Sequence, residues 1–188
     1  MKKRKIVVIR GKTTGGKSTI SYELAKVLPG WIFIDGWKIK EMFDPLHLKD
    51  EQTTRVKDSK KAVISIMKEV MRAEGTNIIL QESTQSFLRK FLRRDLKKYN
   101  YEIYSIFLDL ELKDAIKRDI KRGKPTMNIN KRNLPSHEWK KTGNQPKMKD
   151  FIINTSHQNI NRIVDSILKH IKEKRKRHTK EHLIRRSW

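Results

Sequence analysis

The chain has 188 residues, 36% of them hydrophobic, a mean hydropathy of -0.77 and no cysteine. That is enough for one α/β domain with a real core, and it excludes disulfides, thiolate nucleophiles and zinc-thiolate sites. Lys and Arg number 45 against 21 Asp and Glu, for a formal charge of +24, and segments 117–149 and 169–188 carry 16 of those charges, a bias equally compatible with a polyanionic partner and with a solvated basic surface.

Residues 5–10 form a β-branched run closed by Gly11, and an apolar-periodic helix is expected over 18–28 before Pro29 and Gly30. The opening apolar run is too short for a signal sequence and no segment approaches a membrane span, so a soluble, unprocessed, cytoplasmic protein is expected. A second strand is expected over 31–34, ending at Asp35. A helix around 59–72 places Val63, Ile66, Met67, Val70 and Met71 on one face. A third strand over 77–80, a helix over 86–96 carrying Phe87, Leu88, Phe91 and Leu92, a fourth strand over 101–108 and a helix over 111–122 follow.

Segment 124–149, with Pro125, Pro135, Gly143 and Pro146 and little periodicity, reads as a mobile excursion outside the core. A last strand is expected over 151–153. The closing helix has Ile160, Ile163, Val164, Ile167, Leu168 and Ile171 in one stripe. The reading divides the chain into a domain over 1–173, with a basic lid at about 118–149, and a loose or partner-ordered basic tail over 174–188, where like charges repel and little apolar surface remains. Strands alternating with helices imply an α/β fold with a parallel sheet of about five strands covered on both faces, and ligands in such sheets bind at the carboxyl ends of the strands.

Residues 11–18, GKTTGGKS, match G-x-x-x-x-G-K-[ST] at every fixed position, between a strand and a helix. In this P-loop the backbone around Gly11, Thr13, Thr14, Gly15 and Gly16, with Ser18 and Thr19 at the helix start, is expected to wrap the phosphates of ATP. Lys17 reaches the β and γ oxygens, and Ser18 is a ligand for Mg²⁺.

Asp35 ends the second strand, where an acceptor would approach the γ-phosphate, and a carboxylate there can take the proton of an attacking hydroxyl; it can also cap the helix that begins near Trp37. Arg118 and Arg122, four apart on one helix, project on one face and could fold over the phosphates. Glu82, ending the third strand, is a candidate contact to a magnesium-bound water or to substrate.

The P-loop, an Asp at the end of the second strand, arginines before a lid, and a closing strand and helix together resemble the chloramphenicol phosphotransferase, polynucleotide kinase and zeta-toxin group of P-loop kinases over about residues 5–173. The resemblance implies the P-loop NTPase fold, Lys17 and Ser18 in the phosphate and magnesium roles, Asp35 as base, Arg118 and Arg122 as lid residues, and a loop of Asn154, Thr155 and Ser156 bordering the adenine. Two departures stand out: Gln81 and Glu82 occupy the Walker B position, and Lys38 stands where polynucleotide kinases carry an arginine, keeping the charge without the bidentate fork.

The expected activity is ATP-dependent phosphoryl transfer to a hydroxyl. The charge, Lys38, Lys40 and the stacking surface of Trp37 favour a polynucleotide or nucleotide 5′-hydroxyl on RNA or DNA. A small-molecule kinase is the alternative, and an ATP-dependent nucleic-acid-binding switch comes third.

Overall fold

Five short runs rich in β-branched and aromatic residues form one parallel sheet: β1 (Arg4–Gly11), β2 (Ile32–Asp35), β3 (Ile78–Gln81), β4 (Tyr101–Asp109) and β5 (Phe151–Asn154), in the order β2-β3-β1-β4-β5. The computed structural model describes residues 3–43, 54–73, 75–81, 85–123, 133, 135–141 and 145–184. Parallel neighbours need crossovers, and these are supplied by α1 (Lys17–Val27), α2 (Gly36–Phe43), α3 (Thr54–Ala73), α4 (Gln85–Lys98), α5 (Leu112–Lys121) and α6 (Ser136–Lys141); α7 (Ile160–Ile184) follows the last strand.

The period-two alternation of the strands divides the core. Val7 and Ile9 of β1, Ile79 of β3 and Ile106 and Leu108 of β4 pack against Ile20 and Leu24 of α1 and Ile163, Val164 and Ile167 of α7. Ile6 and Val8, with Ile34, Ile78 and Leu80, pack on the opposite face against Val63, Met67 and Met71 of α3 and Leu92 of α4. Both faces are covered, which is why the central strands read as continuous apolar runs rather than alternating ones.

Four expectations change. Of the stripe expected on α3, Val63, Met67 and Met71 are buried, but Ile66 is 39% exposed, because the helix contacts the sheet along a narrower seam than its apolar residues span. Ile160, at the start of the closing helix, is likewise exposed. Segment 124–149 is not wholly outside the core: α6 lies within it, and Trp139 is buried with Leu110, Leu112 and Ala115. The closing helix continues through residues 174–184, where a loose or partner-ordered tail was expected. Among the described residues, no helix is long and apolar enough to cross a membrane.

Candidate functional site

The loop of residues 11–18 joins the end of the central strand β1 to α1. Gly11 has φ +152°, and a Cβ there would lie 2.3 Å from the Leu108 carbonyl oxygen, so only glycine lets the loop leave β1 tight against β4. Gly16 caps α1 at φ +85°, and Thr14, although β-branched, sits at φ +61°. Thr14 is held there by its Oγ1, which donates to the Thr13 carbonyl at 2.7 Å and to the Ala115 carbonyl of α5 at 3.4 Å. Left-handed residues among right-handed ones turn successive N–H groups inward and make an anion cradle. No side chain caps α1, so its first N–H groups and the positive end of its dipole remain open to an anion.

Lys17 folds back over this loop, its Nζ donating to the carbonyls of Lys12 at 2.8 Å and Gly11 at 3.3 Å. Burial, and secondarily the charge of Arg122, push its pKa down to about 8. The positive charge of Arg122 thus reaches the lysine of this loop. Thr13, Ser18 and Thr19 are exposed along the rim, and Gly15 is buried beneath.

Asp35 stands at the end of β2 in register with Gln81 of β3, which is itself in register with Ile9 of β1. Register partners share a face of the sheet, so Asp35 and Gln81 lie on the α1 side. Asp35 Oδ1 accepts from the backbone N–H of Trp37 at 3.0 Å and of Lys38 at 3.2 Å, which makes it the cap of α2. Its Oδ2 takes no hydrogen bond among the described residues. Trp37 and Lys38 are exposed; the Trp37 indole N–H donates to Glu41 at 2.6 Å, and Lys40 Nζ lies 5.0 Å above its ring.

Glu82 lies outside the described residues. Its neighbour Gln81 is only 4% exposed, and its Oε1 is buried with no hydrogen-bond partner among the described residues. An orphaned amide oxygen at the end of β3, with the exposed hydroxyl of Ser18 on α1, offers a neutral donor set compatible with a hydrated divalent cation, the hydroxyl binding directly and the amide through water.

The two α5 arginines diverge. Arg118 donates through NH2 to the Thr155 carbonyl at 2.5 Å and through NH1 to Thr155 Oγ1 at 3.4 Å. Arg122 is the one whose charge reaches Lys17. The 154–156 loop is tied down at several points: Thr155 donates twice to the Asp109 carbonyl, Asn154 Oδ1 accepts from Ser156 N–H, and Ser156 Oγ accepts from Glu111 N–H. His157, which sequence spacing pairs with nothing, offers an atom within 4.8 Å of ligand atoms of Glu111 and Asp114.

Two residues went unnoticed in the sequence. Lys12 occupies a variable position of the P-loop motif, yet it is buried, and its Nζ donates to the Trp139 carbonyl at 2.6 Å and sits 4.8 Å from the centre of the Trp139 ring. Burial lowers the Lys12 pKa; Asp109 partly offsets this and Lys140 adds to it. Trp139 in turn donates its indole N–H to the Leu110 carbonyl at 2.8 Å. The one available signal was that Trp139 is the sole aromatic residue in the polar stretch 118–149, since tryptophan seldom goes unburied without cause.

No family model and no curated protein matches the chain. Solved structures match it in fold. The APS kinase of Mycobacterium tuberculosis, in complex with AMPPNP and APS, is 13% identical with a TM-score of 0.62, over 92% of this chain and 99% of its own. A sugar kinase from Janibacter sp. is 20% identical with a TM-score of 0.60, over 91% of this chain and 95% of its own. The tunicamycin resistance protein of Deinococcus radiodurans is 15% identical with a TM-score of 0.60, over 90% and 96%. What the chain shares with them is the fold, a five-stranded parallel α/β sheet of the P-loop kinase type.

Proposed function

We propose that this chain is a kinase that binds ATP on the 11–18 loop and moves its γ-phosphoryl group to a hydroxyl of a small-molecule acceptor held beside Asp35. The observation that carries the reading is the placement of Lys17, buried and within reach of the Arg122 charge, on a loop whose Thr14 and Gly16 are left-handed and whose following helix has no side-chain cap. Burial and a neighbouring positive charge that push the Lys17 pKa down are a liability in a free protein and an asset once a polyphosphate lies beside the lysine.

In the reaction the acceptor oxygen attacks the γ-phosphorus, the bond from that phosphorus to the β–γ bridging oxygen breaks, and ADP leaves. The hydroxyl proton passes to Asp35, whose Oδ1 is fixed by α2 and whose other oxygen takes no hydrogen bond among the described residues. Lys17 and Arg122 neutralise charge on the phosphoryl oxygens, and Arg118 holds the 154–156 loop that would border the nucleobase. Magnesium, when bound, offsets charge on the β and γ oxygens, and Ser18 and, through water, Gln81 are the described residues that would hold it.

The small-molecule acceptor rests on the structural neighbours, which include an APS kinase and a sugar kinase. The charge of +24, with Trp37, Lys38 and Lys40 beside Asp35, favours a polynucleotide 5′-hydroxyl instead. Labelled ATP offered with metabolites, nucleosides, RNA and DNA separates the two. Label on a small hydroxyl compound is expected. Label on RNA or DNA would overturn the acceptor assignment, and hydrolysis stimulated by nucleic acid with no label transferred would overturn the kinase reading in favour of a switch.

A further inference from the structure

Residue 12 is the point where the nucleotide loop is tied to the rest of the molecule. Its N–H donates to the Leu108 carbonyl of β4 at 3.3 Å, and its carbonyl accepts both the Gly15 N–H at 3.1 Å and Lys17 Nζ at 2.8 Å. Its side chain leaves the loop on the other side and ends on Trp139. A rotation of residue 12 would therefore move the partner of the P-loop lysine.

The motif does not ask for lysine at this place, and a buried ammonium is costly to keep. Among the described residues Lys12 has no carboxylate hydrogen-bonded to it; it has a carbonyl, a π face and the more distant charge of Asp109. A methionine of the same length would fill the space without that cost. The residue it grips is itself fixed, since Trp139 is 4% exposed and bonded to the Leu110 carbonyl at the head of α5. The helix that carries Arg118 and Arg122 is anchored to the same loop a second time, through Thr14 and Ala115.

We infer that Lys12 and Trp139 form a clamp that locks the nucleotide loop to α6 and the head of α5, making Lys12 a positioning residue that sets nucleotide affinity by holding the carbonyl on which Lys17 rests. The inference depends on the loop binding nucleotide, as proposed above. It adds that α6, through Trp139, is part of the nucleotide site.

The test is the dissociation constant of AMPPNP with magnesium, measured by calorimetry on the full-length chain for wild type, Lys12→Met, Lys12→Arg, Trp139→Leu and the double variant. A lost charge-assisted hydrogen bond corresponds to weakening by about 10-fold to 100-fold, and that is expected for Lys12→Met. Lys12→Arg, which keeps a cationic donor, should recover most of the loss. In the Trp139→Leu background Lys12→Met should cost less than about 3-fold, because the ring beneath the ammonium and the indole bond that fixes the residue 139 carbonyl are already gone.

If Trp139→Leu fails to fold, Trp139→Phe keeps a ring beneath the ammonium, and should leave the Lys12→Met effect near its full size. Failure of wild type to bind AMPPNP at all would remove the nucleotide site itself. Tight binding by wild type with Lys12→Met unchanged, or with the two substitutions multiplying independently, would overturn the clamp and leave the nucleotide site standing.

Discussion

Arg10 and Asp150 form an ion pair at 2.9 Å with side-chain exposures of 2% and 0%, joining positions 140 apart in the chain. Arg10 also donates to the Gln145 carbonyl at 2.6 Å and stacks over Phe107, while Asp150 accepts from Ser105 Oγ at 2.5 Å and from Lys147 N–H at 2.6 Å. The pair fastens the chain returning from α6 to the strand that feeds the nucleotide loop. A buried charge tolerates this position only while its partner is present.

Asp150→Ala should therefore destabilise the protein by about 3–5 kcal/mol, most of it the cost of leaving the Arg10 guanidinium buried and unpaired. Arg10→Met combined with Asp150→Leu should regain much of that loss, since no charge then remains to be solvated. Urea unfolding midpoints at an unchanged slope check both. Equal destabilisation in the single and double variants would assign the effect to packing instead.

If the 11–18 loop binds nucleotide as proposed, Lys17 makes that binding a proton-linked event. With its folded-state pKa lowered from 10.5 to about 8, the unfolded chain holds more protons between those values. This group's contribution to stability therefore rises as pH increases from about 8 to 10.5, and opposes folding below that window. A polyphosphate reverses the bias and restores the ammonium. Calorimetry near pH 8 in buffers of different ionisation enthalpy should register uptake of about half a proton per nucleotide. Lys17→Arg, charged throughout, should abolish that uptake; an unchanged value would assign the proton to another group.

Arg118 and Arg122 should separate kinetically. Arg118→Ala frees the 154–156 loop and should raise KM for ATP by about 10-fold with a smaller change in kcat, because the contact is made before and during transfer alike. Arg122→Ala should lower kcat by about 10²-fold, as expected for losing a group aimed at developing charge. It should also move the Lys17 proton uptake to higher pH, since a repulsive neighbour is gone. Identical kinetic signatures for the two variants would return them to a single shared role.

Asp35→Asn preserves the cap of α2, because asparagine accepts the same backbone N–H bonds. Its melting temperature should match wild type within a few degrees and its ATP affinity should stay within a few-fold, while turnover falls by about 10²-fold to 10⁴-fold. Turnover near wild type would reduce Asp35 to the cap it also forms.

The strands, the helices and the loop of residues 11–18 were legible because their signals are local. A β-branched run, a glycine that must accept a positive φ, and an apolar period of 3.6 act over a few neighbouring residues wherever the chain goes. Asp35 was legible for the same reason, as an acid at the end of an apolar run, and so was its second role as a cap. The core stripe of α3 was legible only in outline, since how much of an apolar face is buried depends on the surface it meets, and Ile66 stays 39% exposed.

Everything that distinguishes this site from a generic P-loop was decided by tertiary structure. Lys12 and Trp139, like Arg10 and Asp150, are ordinary residues in sequence, and become informative only when strand order brings separations of more than 100 residues within hydrogen-bond reach. The division between Arg118 and Arg122 belongs here too, because four positions of helical spacing put both on one face but only packing decides which meets Thr155 and which meets Lys17. Sequence patterns encode which groups are available, since chemistry and period are local. Desolvation and distance set what those groups do, and both belong to the folded molecule.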